Sequence, residues 1–252
     1  MSSNVYVPPE LQLLNGLDKL IIKEKVKLLE AFLGWQQTNE FNIVRPGTEE
    51  LLFVATEHSD CCSRNCLQWA RPFEMKVRLN SGEQMFIAKR EFKCCVCCGL
   101  LGCYCSKYVS ECVRDEILVY SSNEMDYYGK VQEAGSWLRP WFNIFDSNEN
   151  LQFKVQGPFC NMSFGCCCCP RWCREVRYHI LDPNTEEEVG VFFKYFSGLV
   201  QEFVTDADNF VIEFPESIDV KMKTVLLSAV LLVDIIYFNT QGGGNSVLGL
   251  FI

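Results

Sequence analysis

The chain of 252 residues contains few histidines and comparatively little basic charge. Its two histidines, His58 and His179, form no recognisable pairing of nucleophile and base, so an enzymatic active site has little support. The 23 lysines and arginines are outnumbered by 32 aspartates and glutamates, which gives a net charge of −9. Because nucleic-acid binding requires a cationic face, no sequence-specific nucleic-acid partner is expected.

Several common sequence signals are missing as well. The first residues, MSSNVYVPPELQ, lack a basic region followed by an apolar run. A signal peptide is therefore not predicted, and the reducing cytosol, which disfavours disulfides, is the expected compartment. No Walker loop, GxGxxG motif or alternation of strands with helices is present, which argues against the common nucleotide-binding folds.

Cysteine, in contrast, is abundant, with 16 residues that form three clusters. C-x-x-C intervals in the 94–105 and 166–173 groups could hold zinc, although consecutive cysteines on an extended chain point to opposite sides. Thiols among apolar residues, as in KCCVCCGLLGCYC, suit thioester-linked acyl chains instead. The first cluster is expected to consist of small buried hydrophobic side chains. The clusters are Cys61, Cys62 and Cys66; Cys94, Cys95, Cys97, Cys98, Cys103, Cys105 and Cys112; and Cys160, Cys166 to Cys169 and Cys173.

The first part of the chain has a helical pattern. From Leu11 to Leu33, apolar residues recur at helical intervals, and Asp18 and several lysines occupy much of the other face. This pattern predicts an amphipathic helix packed on the domain, with a membrane-surface or partner-binding helix as the alternative.

Residues 39–215 consist of short strand-like runs separated by turn residues, which predicts an antiparallel barrel or sandwich. The sequence also repeats itself. ARPFEMKVRLNSGEQMFIAKREFKCC resembles LRPWFNIFDSNENLQFKVQGPFC 68 residues later, so that Arg71-Pro72 matches Arg139-Pro140. Repeated hairpins of this kind suit a closed barrel built from two related halves.

One long apolar run follows, from Lys221 to Phe238, with Asp234 inside it. Its apolar part, Val225 to Phe238, would rise ~21 Å as a helix, which is short of the ~30 Å hydrocarbon core of a bilayer. A helix that is apolar on all sides must be buried, and a carboxylate in lipid requires a partner. A core helix inside the barrel is therefore favoured over a membrane-inserted segment.

The segment TDADNFVIEFPES is a candidate calcium site, because Asp206, Asp208 and Asn209 place oxygen atoms close together on one turn. It departs from an EF-hand at Val211, where the motif has glycine, and at Ser217, where it has an acid. A hairpin turn without metal is the alternative, since Asp146-Ser147-Asn148 occupies the matching place in the repeat.

Several of these segments are familiar in their order and spacing, and they resemble the phospholipid scramblase family from about Leu11 to Phe238. The resemblance implies a tubby-like fold, a closed antiparallel barrel of about twelve strands around an apolar C-terminal helix. It implies one domain over residues 11–240, with that helix at 219–238, flanked by flexible tails at 1–10 and 241–252. The segments are KVKLLEAFLGW (25–35), DCCSRNCLQWARPF (60–73), the cluster at 94–105, GPFC (157–160), TDADNFVIEFP (205–215) and DVKMKTVLLSAVLLVDIIYF (219–238).

The resemblance also implies a function. The expected protein is calcium-dependent and palmitoylated, lies on the cytosolic face of the plasma membrane, and mediates or regulates bidirectional movement of phospholipids between leaflets without covalent chemistry. The alternative is an adaptor of the same fold that is anchored to the membrane and binds lipids or receptors without transporting them.

Carried over by position, the calcium segment falls on six residues, of which Ser217 stands where the family has aspartate; Glu213 or Glu216 are candidate compensating ligands. Palmitoylation maps to a cluster of four cysteines, and the insertion GLLGCYC leaves open whether Cys103 and Cys105 share that role. Zinc at the cysteine clusters is the alternative cofactor. The six calcium positions are Asp206, Asp208, Phe210, Ile212, Phe214 and Ser217, and the four cysteines are Cys94, Cys95, Cys97 and Cys98.

The expected partners are membrane phospholipids, the plasma membrane through thioester-linked palmitate, and a second copy of the chain if transport requires self-association. Some family members carry a basic nuclear-import segment at the position of residues 190–199, where Lys194 is the only basic residue, so nuclear import is not expected. The proline-rich extension of longer members is reduced to Pro8-Pro9, so SH3 and WW domains are not expected as partners.

Overall fold

The computed structural model of the chain describes residues 7–25, 38–67, 71–92, 115–134, 139–158, 175–195 and 209–238. Twelve strands and three α-helices lie in these ranges. The strands are β1 (Lys19–Glu24), β2 (Glu40–Val44), β3 (Leu51–His58), β4 (Phe73–Leu79), β5 (Gln84–Arg90), β6 (Glu116–Ser121), β7 (Tyr127–Glu133), β8 (Trp141–Asp146), β9 (Leu151–Gln156), β10 (Glu175–Leu181), β11 (Glu188–Tyr195) and β12 (Asn209–Glu213). The helices are α1 (Gln12–Asn15), α2 (Cys61–Leu67) and α3 (Val220–Val233); a 3₁₀ turn (Pro9–Leu11) precedes α1, and a π-helical turn (Asp234–Phe238) continues α3.

The strands form one closed antiparallel barrel, which confirms the predicted fold class. Each strand pairs with its neighbours in the sequence, and β1 pairs with β12 to close the sheet. In that closing pair Leu20 lies opposite Ile212, and both side chains point into the core. Closure leaves no edge strand, and period-two alternation places one face of every strand inside.

Helix α3 occupies the barrel interior. All of its residues except Lys221 are buried, and its apolar side chains belong to the same core cluster as the inward faces of the strands. This agrees with the preferred prediction of a core helix, because a helix that is apolar on all sides is stable only when it is enclosed. Within the described ranges, no helix combines the length and apolar character needed to cross a membrane.

The predicted N-terminal helix is much shorter than expected, and its extension from Leu11 to Leu33 is wrong as far as the described residues reach. Helix α1 ends at Asn15, and Lys19–Glu24 is strand β1. Short apolar runs do not distinguish a helix from a strand, and here pairing with β2 and β12 decides the outcome. Residues 26–37 lie outside the described part of the chain.

The barrel has two unlike ends, because consecutive antiparallel strands run in opposite directions. The connections at 45–50, 80–83, 122–126, 147–150 and 182–187 are short and share one end with 214–219, which leads into α3; we call this the turn end. The connections at 25–39, 59–72, 91–115, 134–140, 157–174 and 196–208 start and finish at the opposite end. All 16 cysteines lie in three of these longer connections, so we call that end the cysteine end.

Candidate functional site

Helix α2 projects three thiols from the cysteine end. Cys61, Cys62 and Cys66 are all exposed, so the expectation that this first cluster is buried is wrong. The helix begins where the Asp60 carboxylate accepts a hydrogen bond of 3.0 Å from the main-chain N–H of Ser63. The sequence did not predict this exposure, because cysteine is common both in protein cores and at reactive surfaces.

An open cleft of about 620 Å³ is lined in part by Ser59 and Asp60, the two residues that precede α2. Phe92, at one edge of the cleft, is 46% exposed although it is a large apolar side chain. The cleft therefore combines apolar and charged surface at the cysteine end. The lining includes His58, Asp60, Phe73, Lys89, Arg90 and Phe92.

Two buried ion pairs lie next to this cleft in the sequence: Glu57 and Arg71 directly precede the lining residues His58 and Pro72, and Arg90 lines the cleft itself. The Arg71 guanidinium donates hydrogen bonds of 2.7 and 3.0 Å to the two carboxylate oxygens of Glu57, and Arg90 pairs with Asp115. Burial alone would raise the pKa of Glu57, but the hydrogen bonds and charge of Arg71 outweigh it and hold that pKa below its usual range. Arg90 also donates 3.2 Å to the main-chain oxygen of Arg71, which links the two pairs. From the sequence, Arg71 was identified only as part of the internal repeat, and its pairing with Glu57 was not predicted.

A further ion pair lies inside the barrel near the end of the central helix. The ammonium of Lys194, on β11, lies 2.8 Å from Oδ1 of Asp234, and its nitrogen is 4.9 and 4.3 Å from the ring centroids of Phe210 and Phe238. Asp234 and Phe238, two of the residues singled out in the apolar run, thus meet a strand lysine that sequence reasoning treated only as part of a nuclear-import segment. The third, Lys221, lies 5.4 Å from the Tyr128 ring centroid.

The turn end is closed by the N-terminal segment. Lys223 of α3 donates hydrogen bonds to the main-chain oxygens of Leu14, Asn15 and Leu17, at 3.4, 3.3 and 2.6 Å. Leu11 and Leu14 are fully buried against the core. Burial lowers the pKa of Lys223, although the nearby charge of Asp18 acts in the opposite direction.

The proposed calcium positions do not all present oxygen-bearing side chains. Phe210, Ile212 and Phe214 are buried, and the first two belong to β12, so their side chains supply no ligand and only their main-chain oxygens could bind a cation. Glu213 forms an ion pair of 2.6 Å with Lys19 and is half-exposed. Glu216 and Ser217 are exposed in the connection that follows β12. Asp206 and Asp208 lie outside the described residues.

The turn that resembles this segment in sequence joins β8 to β9 at the turn end, opposite the connection 196–208, and it is satisfied without a metal. Oδ1 of Asp146 accepts main-chain hydrogen bonds of 2.8 and 2.9 Å from Asn148 and Asn150. Burial would raise the pKa of Asp146, but these hydrogen bonds lower it overall. In the described part of the chain no three His, Cys, Asp or Glu side chains are arranged to hold a metal ion. The cysteines proposed for palmitoylation or zinc, in the 94–105 and 166–173 groups, lie outside that part.

Charge is distributed unequally between the two ends. The six short connections contain eleven acidic residues and a single basic one, Arg45, whereas the six long connections contain ten basic and eight acidic residues. The net negative charge of the protein is therefore concentrated at the turn end. The eleven acids are Glu49, Glu50, Glu83, Glu124, Asp126, Glu149, Asp182, Glu186, Glu187, Glu216 and Asp219.

Comparison with known proteins gives a consistent result. The family model described as Scramblase matches residues 1–240. Phospholipid scramblase 2 from Bos taurus is 30% identical over 236 residues, which cover 94% of this chain and 73% of the relative. Phospholipid scramblase 1 from Homo sapiens is 31% identical over 97% of this chain and 70% of the relative, and human phospholipid scramblase family member 5 is 28% identical over 95% and 81%. No solved structure gives a significant match.

Proposed function

Because the chain belongs to the scramblase family, we propose that it mediates or regulates bidirectional movement of phospholipids between the leaflets of a membrane, in response to calcium. The observation that carries this proposal is the extent of the family match. Residues 1–240 include every strand of the barrel and the central helix, so the likeness is not limited to one motif.

Membrane attachment is proposed to occur through thioester-linked palmitate on Cys94, Cys95, Cys97 and Cys98, on the cytosolic face of the plasma membrane. An acyl chain contributes ~0.8 kcal/mol per buried methylene, and stable anchoring requires two such signals. A cluster of four cysteines meets that requirement. The connection that contains them starts and finishes at the cysteine end, away from the acidic turn end. Attachment there keeps the repulsion between the acidic residues and an anionic leaflet small.

Calcium binding is proposed at Asp206 and Asp208, with main-chain oxygens completing the site. Strand β12 separates these two residues from Glu213 and Glu216, which therefore do not compensate as ligands of the same ion. Calcium takes six to eight oxygen ligands, so two carboxylates alone give a weak site. The purified protein should bind calcium in a calorimetric titration, and Asp206→Asn with Asp208→Asn should weaken binding by at least about tenfold. Glu83→Gln is the control, because it removes one exposed carboxylate at the turn end, opposite the connection that contains Asp206 and Asp208. Equal calcium affinity in the wild type, the double variant and Glu83→Gln would exclude this site.

The enclosure of α3 limits how lipid could be moved. Because the apolar helix is buried in the barrel, direct transport requires either opening of the barrel or self-association in the bilayer. The test is reconstitution of the purified, acylated protein in liposomes that carry a fluorescent phospholipid in both leaflets. Addition of calcium should allow dithionite to quench the inner-leaflet lipid. An absence of protein-dependent quenching would exclude direct scrambling.

The same enclosure supports a second candidate function, a membrane-anchored adaptor that binds lipids or receptors without transporting them. For this function, Asp206→Ala with Asp208→Ala should leave the protein at the plasma membrane, because anchoring depends on the cysteines alone. Fluorescence microscopy of tagged full-length protein decides the matter. Release of the double variant to the cytosol would contradict the adaptor function.

A further inference from the structure

The position of the three cysteines on α2 is dictated by helix geometry. At about 100° per residue, Cys61, Cys62 and Cys66 fall within about 140° of one another around the helix axis. Cys62 and Cys66 are four residues apart and therefore adjacent on one face. The other side of the helix is half-buried, through Ser63, Arg64 and Leu67. The exposed residues thus share one side of the helix and the half-buried residues share the other.

Local hydrogen bonds stabilise the start of helix α2. The carboxylate of Asp60 caps its first turn through the N–H of Ser63, and the hydroxyl of Ser63 donates 2.8 Å to the main-chain oxygen of Asp60. On the same half-buried side, the Arg64 guanidinium donates to the main-chain oxygen and to the hydroxyl of Ser59, the latter at 3.1 Å. These contacts define where the helix begins, and the three cysteines that follow are exposed.

Two other roles for these cysteines have no support among the described residues. Burial as small hydrophobic side chains is contradicted by their exposure, and none of the three forms a disulfide. Zinc requires four ligands in tetrahedral arrangement, and across the described ranges not even three suitable side chains converge. The three thiols are exposed and therefore accessible to a modifying enzyme.

Their surroundings fit a membrane surface. Cys61 to Cys66 belong to the connection 59–72, which starts and finishes at the end of the barrel opposite the acidic turns. The half-exposed ring of Phe92 lies on the cleft beside Asp60, the residue that caps α2, and supplies apolar surface at the same end. An anionic leaflet repels the turn end and leaves this end free to approach it.

We propose that Cys61, Cys62 and Cys66 form a second S-acylation site, distinct from the cluster at Cys94 to Cys98, and that it fixes the orientation of the barrel on the bilayer. The thiol sulfur attacks the carbonyl carbon of a fatty acyl-coenzyme A, a carbon–sulfur bond forms, and coenzyme A leaves as its thiol after taking up the displaced proton. A membrane acyltransferase supplies the catalysis. This second site rests on the proposed membrane attachment. It adds an attachment point in the connection between β3 and β4 to the attachment point in the connection between β5 and β6. Two separated attachment points prevent rotation of the barrel about a single tether.

The test is a count of thioesters on the full-length protein expressed in mammalian cells. Free thiols are blocked, thioesters are cleaved with hydroxylamine, and each released thiol receives a polyethylene glycol tag that shifts the band on a gel. Cys61→Ser with Cys62→Ser and Cys66→Ser should remove one to three tags. The variant with serine at Cys94, Cys95, Cys97 and Cys98 should keep those same tags. Ser81→Ala, in an exposed turn at the other end of the barrel, is the control and should keep the wild-type count.

The possible outcomes separate this proposal from the one it builds on. An unchanged tag count in the triple variant, with unchanged thermal unfolding, would overturn the second site even if the cluster at Cys94 to Cys98 is acylated. Loss of tags in the triple variant alone would support the second site and contradict the assignment at Cys94 to Cys98. No tags on any form of the protein would overturn both.

Discussion

The ammonium of Lys194 donates a hydrogen bond of 2.8 Å to Oδ1 of Asp234 inside the barrel, where both side chains are only 2% exposed. The pair joins β11 to the end of the central helix at the cysteine end. A carboxylate within an apolar run is costly to bury unless it is paired, and this contact explains how Asp234 is accommodated. The second oxygen, Oδ2, accepts no hydrogen bond from the described residues.

Lys194→Met should destabilise the protein strongly, because it leaves the Asp234 carboxylate buried without a counter-ion. Removal of one partner from a buried pair costs ~3–5 kcal/mol. The free energy of unfolding, measured by urea denaturation and far-ultraviolet circular dichroism, should fall by that amount.

The double variant, Lys194→Met with Asp234→Leu, provides the control for this prediction. Replacement of both charges by apolar side chains of similar size is often neutral or stabilising, so most of the loss should be recovered. If the single and double variants lose the same stability, the two side chains are not coupled as the structure indicates.

Features that depend on the local apolar pattern could be predicted from the sequence, whereas contacts between residues distant in the sequence could not. Alternating apolar residues predict strands because burial of one sheet face imposes a period of two, and the fully apolar run at 221–238 could only be enclosed. The strand at Lys19–Glu24 was missed because its pairing partners are distant in sequence. Lys194 was missed as the partner of Asp234 for the same reason, since 40 residues separate them. The cysteine clusters were recognised as a group from composition, but the barrel topology was required to show that their three connections start and finish at the same end.

Glu133→Gln should stabilise the protein at neutral pH. Burial and the nearby charge of Asp115 raise the pKa of Glu133, although a hydrogen bond from the Tyr237 hydroxyl and the charge of Arg90 oppose the shift. A raised pKa in the folded state means that the stability contribution is complete below about pH 4.3, the ordinary value for glutamate, and is lost as pH rises through the folded pKa. Glutamine mimics the protonated form and can still accept the 3.0 Å hydrogen bond from Tyr237.

Thermal unfolding between pH 4 and pH 8 measures this effect. The difference in melting temperature between Glu133→Gln and wild type should be positive at pH 7 and should shrink towards pH 4. Glu83→Gln, at an exposed turn, should show no comparable difference. A Glu133→Gln variant with a melting temperature at or below wild type at pH 7 would show that burial does not penalise the carboxylate.

Gly129→Ala should be strongly destabilising, because a Cβ at this position would lie 2.2 Å from the main-chain oxygen of Phe145 and 3.2 Å from Cγ2 of Val225. The glycine also has a φ of +149° and pairs with Asp146 across β7 and β8. Neither the strand backbone nor the helix can withdraw without loss of pairing or packing, so we expect a loss of ~2–3 kcal/mol in the free energy of unfolding.

Gly16→Ala is the matched control for that substitution. Its Cβ would meet no atom within 4 Å, and its φ of −89° suits alanine. This change should be neutral or should stabilise the protein by ~0.4–1 kcal/mol, because it restricts the unfolded chain. If Gly129→Ala and Gly16→Ala lose similar free energies of unfolding in urea denaturation, close approach of α3 to β7 does not explain the effect of Gly129→Ala.

Lys223→Met should loosen the N-terminal segment without unfolding the barrel. The ammonium of Lys223 holds three main-chain oxygens between Leu14 and Leu17, and a hydrogen bond to a charged group is worth ~1.5–3 kcal/mol. The methionine side chain is similar in length and fits the same apolar surroundings, so the core itself should persist. Amide hydrogen exchange at Leu11 and Leu17, whose N–H groups bond to Pro8 and Leu14, should accelerate by at least about tenfold.

Lys221→Met distinguishes this local effect from a general loss of stability. Lys221 lies two residues earlier in the helix and contacts the Tyr128 ring, not the N-terminal segment. Its loss should leave exchange at Leu11 and Leu17 unchanged. Because the segment covers the end at which the central helix enters the barrel, selective acceleration in Lys223→Met would mean that the turn end can open while the cysteine end stays intact. Equal acceleration in both variants would instead mean that the segment and the helix open together, and that Lys223 does not hold the closure by itself.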